Sequence, residues 1–242
     1  LSDMAPNLSG VATVDQAPGE EAGAPVSVDM AAALPADPDL RVGTLDNGLT
    51  YYIRKNSEPP DRAELWLAVN AGSVLEDDDQ RGLAHFLEHM MFNGTENYAG
   101  SQLIDFLESI GMRFGPDVNA YTSFDETVYT LQVPTDDAAT LQKSLEILKE
   151  WAAKATIDPE EVDKERGVIV EEWRMRDLSA EGRVTDSLVE TLLKGSQYAD
   201  RLPIGQMDIV RSAPAETLRR FYERWYRPDN LAVIAVGDFA DL

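Results

Sequence analysis

Two histidines and a glutamate within five residues constrain this chain more than any other feature of its sequence. His85 and His89 are the only histidines among the 242 residues, and Glu88 directly precedes the second. An α-helix turns about 100° per residue, so a spacing of four places both imidazoles on one helix face, about one turn apart. The run therefore predicts a helix whose two imidazoles could share a metal ion, with a carboxylate nearby to take a proton from water.

The same spacing also fits a helix without a ligand. Two histidines four residues apart can be half-buried packing residues of an amphipathic helix. A second, distant acidic segment favours the metal site over this alternative, because it supplies a third candidate ligand.

That segment follows Asp158-Pro159, which is a strong helix start with Asp as the cap and Pro at the first position. Glu165 and Glu172 are seven residues apart, which returns within about 20° of the same direction on a helix. Three apolar side chains point in nearly the same direction and predict a core-facing stripe, which the two carboxylates interrupt. These apolar residues are Val162, Val168 and Ile169. Glu171 points about 100° away and is expected to face solvent.

Buried carboxylates are costly unless they are paired or bound to a metal. The residues alone leave Glu165 and Glu172 both open as the third ligand, and an ion pair with an arginine from elsewhere is the alternative. Two histidines and one glutamate would leave a fourth zinc position for water, as in catalytic sites, whereas structural sites usually fill all four with protein. The remaining glutamate could hydrogen-bond a ligand imidazole.

Composition narrows the chemistry further. The chain has no cysteine, so any metal must be held by histidine and carboxylate. The formal net charge is −23, which argues against a nucleic-acid partner. Such acidity could favour basic peptides or reflect an adaptation for solubility. No run approaches the roughly 20 apolar residues of a membrane span.

The chain divides into two regions. Residues 1–40 contain no Lys or Arg, seven acidic residues and many Ala and Pro, which predicts a flexible acidic leader. Residues 41–242 have the pattern of a globular domain. The acidic run Glu76 to Asp79 precedes the histidine helix, where the helix dipole would favour it.

Periodicity predicts strands early, in the middle and late, with helices between them. This order favours an α+β fold, a mainly antiparallel sheet with helices packed on one face. The predicted strands are 41–45, 49–54, 63–69, 127–133 and 231–236, and the predicted helices, besides those carrying the two motifs, are 101–110, 138–155, 181–193 and 215–226.

His85-Phe86-Leu87-Glu88-His89, together with Glu165 to Glu172, resembles the pitrilysin/insulinase family of zinc peptidases, whose H-x-x-E-H motif defines the inverzincins. The resemblance covers about residues 41–240. It implies a domain like that of the mitochondrial processing peptidase, with one zinc ion on His85, His89 and Glu172. It further implies that Glu88 is the general base and that Glu165 is an accessory catalytic acid.

The segment Asp117 to Tyr129 resembles the family's edge strand beside the zinc. In that family the peptide substrate adds to this edge as an extra strand. The resemblance therefore makes Asn119, Ala120 and Tyr121 candidate substrate-binding residues. Ordinary sheet with a polar turn is the alternative.

Family peptidases pair this domain with at least one homologous domain, which closes a chamber. We therefore expect a C-terminal homologous domain or a partner subunit, and we expect the chain to be a fragment, because it begins at Leu1. Similarity to exported bacterial members implies a periplasmic location. The alternative function is a non-catalytic binding or assembly subunit of the same fold, although such subunits usually lose zinc-site residues that are all present here.

Overall fold

A six-stranded sheet forms the centre of residues 37–239, which are the residues that the structure, a computed structural model, describes. The strands are β1 Leu40–Thr44, β2 Thr50–Lys55, β3 Arg62–Val69, β4 Val118–Thr122, β5 Thr127–Pro134 and β6 Leu231–Gly237. Their order across the sheet is β1-β2-β6-β3-β5-β4. β2 and β6 run parallel and the other neighbours run antiparallel, so the predicted α+β class is confirmed.

Helices cover one face of this sheet. They are α1 Leu83–Met90, α2 Gln102–Ser109, α3 Ala138–Ala153, α4 Pro159–Leu178, α5 Ala180–Leu192, α6 Met207–Ser212 and α7 Ala215–Trp225. Along β3, Leu65 and Leu67 are fully buried, whereas Trp66 between them is 39% exposed. Successive side chains of a strand point to opposite faces, so this alternation separates a helix-covered face from an open one.

The start of α1 is fixed by the buried side chain of Glu76. Both oxygens of Glu76 accept a hydrogen bond from the Gly82 backbone N–H at 3.0 Å, and one also accepts from Ala84 N–H at 2.8 Å. Gly82 has φ +98°, and a Cβ there would lie 2.9 Å from the Cα of Gly205. Glycine is therefore required by both the backbone angle and the close approach.

The rest of the acidic run acts differently from the prediction. Asp77 pairs with Arg224 and Asp79 with Arg220, both on α7. These aspartates therefore hold the loop before α1 against α7, and of the run only Glu76 binds the α1 N-terminus.

The path of α4 is set at both its start and its middle. Asp158 accepts from the backbone N–H of Glu160 at 2.8 Å, and Pro159 occupies the first position, as predicted. Arg166 donates to the carbonyl oxygens of Val210, at 2.6 Å, and Ala213. Its guanidinium also lies 5.6 Å from the ring centroid of Phe86 on α1. These contacts hold α4 beside the histidine-bearing helix.

Most predicted elements are present within one or two residues of their expected ends, but α6 was not predicted. The predicted leader, residues 1–40, lies outside the described residues except for 37–40. Leu40, assigned to the leader, belongs to β1, where it pairs with Arg54. Within the described residues, no helix combines the length and apolar character needed to cross a membrane.

Candidate metal centre

The two histidines of α1 meet edge to edge. The Nε2 atoms of His85 and His89 are 3.2 Å apart, and the ring planes are 87° apart. Their side chains are 12% and 21% exposed, so both are largely withdrawn from water. The helical spacing of four therefore brings two nitrogen ligand atoms to one point, as the sequence predicted.

The side chain of Glu172 reaches the same point from α4. Its Oε2 lies 3.5 Å from His85 Nε2 and 3.6 Å from His89 Nε2. A tetrahedral zinc ion with bonds of about 2.0–2.1 Å separates neighbouring ligand atoms by roughly 3.3 Å. Among the described residues, these three form the group that could hold a metal ion, and the spacing of their atoms fits one.

Glu165 contacts His89 on its opposite edge. Its Oε1 lies 2.8 Å from His89 Nδ1, and its Oε2 accepts from the Asn93 side-chain amide at 2.9 Å. Nδ1–H donates to Glu165, so Nε2 faces His85 and Glu172 and presents its lone pair there when His89 is neutral. The sequence left open which of Glu165 and Glu172 could hydrogen-bond a ligand imidazole. In the structure, Glu165 lies in the place for that role. Asn93, which sequence reasoning missed, lies three residues beyond the end of α1, where its side-chain amide also donates to the His89 carbonyl oxygen at 3.2 Å.

The expected apolar stripe on α4 is only partly present. Val162 and Ile169 are buried in the core, but Val168 is 52% exposed and lines a cavity beside Glu165. The prediction for Val168 was wrong because α4 turns this face to the open cleft. Glu172 is likewise more open than expected, with its side chain 49% exposed. Glu171 faces solvent, as predicted, and lies 3.6 Å from Arg174.

Glu88 lies beside the cluster and is largely buried, with 8% of the residue exposed. Thr122 on β4 donates a hydrogen bond to its Oε2 at 2.7 Å. Burial raises the pKa of Glu88, and the nearby negative charge of Glu172 adds to this, while the Thr122 hydrogen bond and His89 oppose it. A carboxyl whose pKa is raised in a cleft is suited to exchange protons.

The pKa values of the two imidazoles are shifted in opposite directions. Burial and the neighbouring His89 lower the pKa of His85 to about 4. Burial also acts to lower the pKa of His89, but the hydrogen bond to Glu165 and the carboxylates around it outweigh burial and raise the pKa to about 9. Without a metal, the pair therefore carries one positive charge at neutral pH, on His89, while His85 is the neutral imidazole. That hydrogen bond also lowers the pKa of Glu165.

β4 runs past the cluster as the edge strand of the sheet and carries Asn119, Ala120 and Tyr121. Two cavities share Glu88, His89 and Ala120 in their walls. The first, of about 470 Å³, also contains Asn119 and a mainly apolar wall of Phe92, Ile104, Phe114 and Val168. The second, of about 360 Å³, includes Tyr121, His85 and Glu172. The three candidate substrate residues therefore lie along the cleft, between its two halves.

Comparison with known proteins agrees with this geometry. Residues 51–203 match the model of the insulinase family, Peptidase family M16. A probable zinc protease, PqqL, of Escherichia coli is 49% identical over 209 residues, which are 86% of this chain and 22% of that protein. A PQQL-like zinc protease of Arabidopsis thaliana is also 49% identical, over 82% of this chain and 21% of that protein. The chain thus spans about a fifth of the length of these curated relatives.

A solved structure gives the same assignment. The crystal structure of the first half of the periplasmic protease PqqL from Escherichia coli superimposes with a TM-score of 0.84 at 48% identity, covering 87% of this chain and 45% of that one. Residues 51–203, which match the family model, contain both helices that carry the cluster. On the match of family model, sequence and structure, this chain belongs to the insulinase family, Peptidase family M16.

Proposed function

We propose that this chain is the zinc-binding domain of an endopeptidase that hydrolyses peptide bonds in unfolded peptides. The convergence of His85, His89 and Glu172 beside a buried, separate carboxylate, Glu88, carries the proposal. The names of the relatives, zinc proteases, support the same activity.

The donor set suits one zinc ion. Two imidazole nitrogens and one carboxylate oxygen are the ligands of many catalytic zinc sites, which keep a further position for water or substrate. The ion would supply Lewis-acid chemistry, activating water and polarising a carbonyl group. Glu165 would hold the His89 imidazole in the tautomer that presents Nε2.

Glu88 would act as the general base and then as the general acid. As a water oxygen attacks the carbonyl carbon of the peptide bond, Glu88 accepts the proton that the water loses. When the C–N bond breaks, Glu88 gives that proton to the leaving amine nitrogen. Glu165 is hydrogen-bonded to His89 and Asn93, so we assign it an orienting role in preference to that of a second proton carrier.

The substrate would bind as an added strand on β4. Ser123 and Gln132 donate backbone hydrogen bonds to Glu126 and Asp117, respectively. Antiparallel pairs alternate, so this register makes the Ala120–Tyr129 pair non-hydrogen-bonded and directs the Ala120 N–H and C=O to the open edge. A peptide backbone could pair there with little dependence on its side chains, within reach of Asn119 and Tyr121.

We further propose that a homologous second domain or subunit completes the active enzyme, and that the enzyme acts in the periplasm. The first half of PqqL, which this chain covers to 45%, is long enough for two such domains, and PqqL is named a periplasmic protease. Within the proposal, residues 41–242 are the peptidase domain and residues 1–40 a flexible leader.

Zinc binding tests the metal centre without requiring turnover. We expect one zinc ion per chain in the wild type and loss of tight binding in His85→Ala, His89→Ala and Glu172→Gln. Glu171→Gln is the matched control, because Glu171 is adjacent on α4 but faces solvent. Equal zinc affinity in Glu171→Gln and Glu172→Gln would contradict the assignment.

Peptide cleavage tests the chemistry. A fluorogenic peptide is incubated with the chain alone and with a homologous second domain, each with and without a chelator. We expect Glu88→Gln to bind zinc normally while cleavage falls by at least about 100-fold, the typical contribution of a general base. Cleavage that persists in Glu88→Gln or after full removal of zinc would remove the proposal, and tight peptide binding without any cleavage would support the non-catalytic alternative.

A further inference from the structure

The carboxylate of Glu88 is fixed by one contact from the edge strand. Thr122 Oγ1 donates to Glu88 Oε2 at 2.7 Å, and among the described residues Thr122 is the hydrogen-bond partner of this carboxylate. The length is typical of a strong O–H···O⁻ hydrogen bond. The two residues lie 34 positions apart in sequence, so tertiary packing creates the contact.

Thr122 is well suited to hold another side chain still. It is the last residue of β4, a strand paired along its length with β5, and its branched Cβ restricts its own rotation. Glu88 has three side-chain torsions, which would otherwise let the carboxylate sample several positions. A stiff donor on a strand therefore restrains a flexible acceptor on a helix.

We propose that Thr122 is a positioning residue that gives the two carboxylate oxygens of Glu88 different roles. The inference rests on the proposed function, in which Glu88 is the base. Oε2 is held by the Thr122 hydroxyl, which leaves Oε1 to accept the proton from water and return it to the leaving amine.

The position of Thr122 connects this role to substrate binding. Ala120 and Thr122 are two residues apart on β4, so their side chains point to the same side of the sheet and both line the cavity that contains Glu88 and His85. The strand that would pair with the peptide backbone through Ala120 thus also supplies the hydroxyl that holds the base. One rigid strand would consequently position both the base and the scissile bond.

The test compares three variants in the fluorogenic assay, run on the chain with its homologous second domain. Thr122→Val removes the hydroxyl at nearly constant shape, and Thr122→Ser restores it. Thr50→Val is the control, because Thr50 is a strand threonine on β2, away from the site. Zinc affinity and the thermal unfolding midpoint are measured for each variant.

We expect Thr122→Val to lower kcat about 10-fold with KM and zinc affinity within about 2-fold of wild type, and Thr122→Ser to recover most of kcat. Thr50→Val should match the wild type. A Thr122→Val enzyme with normal kcat, in a protein that Glu88→Gln inactivates, overturns the inference and leaves the proposed function standing. Activity unaffected by Glu88→Gln overturns the proposed function, and the role of Thr122 with it. A fall in zinc affinity or folding that accounts for the lost kcat, unrescued by serine, also overturns the positioning role.

Discussion

Nδ1 of His89 and Oε1 of Glu165 lie 2.8 Å apart, although 76 residues separate them in sequence. Asn93 holds the other oxygen of the same carboxylate. The contact joins α1 to α4 and orients one imidazole of the cluster. We expect several measurable properties of the candidate metal centre to depend on it.

Removing the Glu165 carboxylate should weaken zinc binding. We expect Glu165→Ala to lower zinc affinity by about 10- to 100-fold, because partners that orient a ligand imidazole typically have effects of this size. Competition with a chelator of known affinity measures the change. Glu161→Gln is the control, since Glu161 lies on the same helix and pairs with Lys164 away from the site. Unchanged affinity in Glu165→Ala would refute the orienting role.

Zinc affinity should rise with pH. The hydrogen bond to Glu165 and the surrounding carboxylates outweigh burial and hold the pKa of His89 at about 9, so below that pH zinc must displace a proton from His89. The apparent affinity should therefore rise up to about 10-fold per pH unit between pH 7 and 9 and level off above. His85 has a pKa of about 4 and is already neutral over this range. Chelator-buffered titrations at several pH values measure the slope.

The same titrations on a variant check the cause of that slope. Glu165→Gln removes the carboxylate that raises the pKa of His89, so its affinity should level off at a lower pH than the wild type. Identical profiles would show that Glu165 does not control this proton.

Glu76 should make stability depend on pH in the opposite sense to an acid whose pKa is lowered by folding. Burial raises its pKa to about 8, against the backbone hydrogen bonds that lower it. An acid whose pKa is higher in the folded state stabilises the fold below its unfolded value of about 4.5. That stabilisation is lost as pH rises toward 8. The loss should be at most about 1.4 kcal/mol per pH unit.

Glu76→Gln provides the comparison, because glutamine keeps an acceptor oxygen but does not titrate. Denaturant unfolding at pH 5, 6.5 and 8 should show the stability of this variant improving relative to the wild type as pH rises. A constant difference across the three pH values would show that Glu76 does not titrate in this range.

Blocking one backbone donor on β4 should affect substrate binding more than chemistry. The Ala120 N–H faces the open edge, where the Asn119 side-chain oxygen accepts it at 2.9 Å in the absence of peptide. Ala120→Pro removes this donor while sparing the hydrogen bonds to β5, and edge strands tolerate proline. We expect KM to rise about 10-fold, with a smaller change in kcat, in the fluorogenic assay. Unaltered KM, with the fold intact by circular dichroism, would argue against strand addition at this edge.

Local geometry could be predicted because it depends on near neighbours. The spacing of four between the histidines and of seven between Glu165 and Glu172 gave the correct helix faces, and Asp158-Pro159 gave the correct start of α4. Each prediction needs only the period of a helix and its capping chemistry. The helical period alone did not choose between Glu165 and Glu172; the family resemblance did.

Contacts between distant elements required the tertiary structure. It distinguishes the two acids by placing Glu172 near both Nε2 atoms and Glu165 against His89 Nδ1. It also pairs Thr122 with Glu88 and turns Val168 to the cleft.

The sequence by itself therefore identified the candidate residues for metal binding and proton transfer and the helix faces that carry them. The packing of α1 between β4 and α4 decided which atoms of these residues meet. The physical reason is that a helix sets directions only about its own axis, whereas distances between helices and strands depend on how their apolar faces pack in the core.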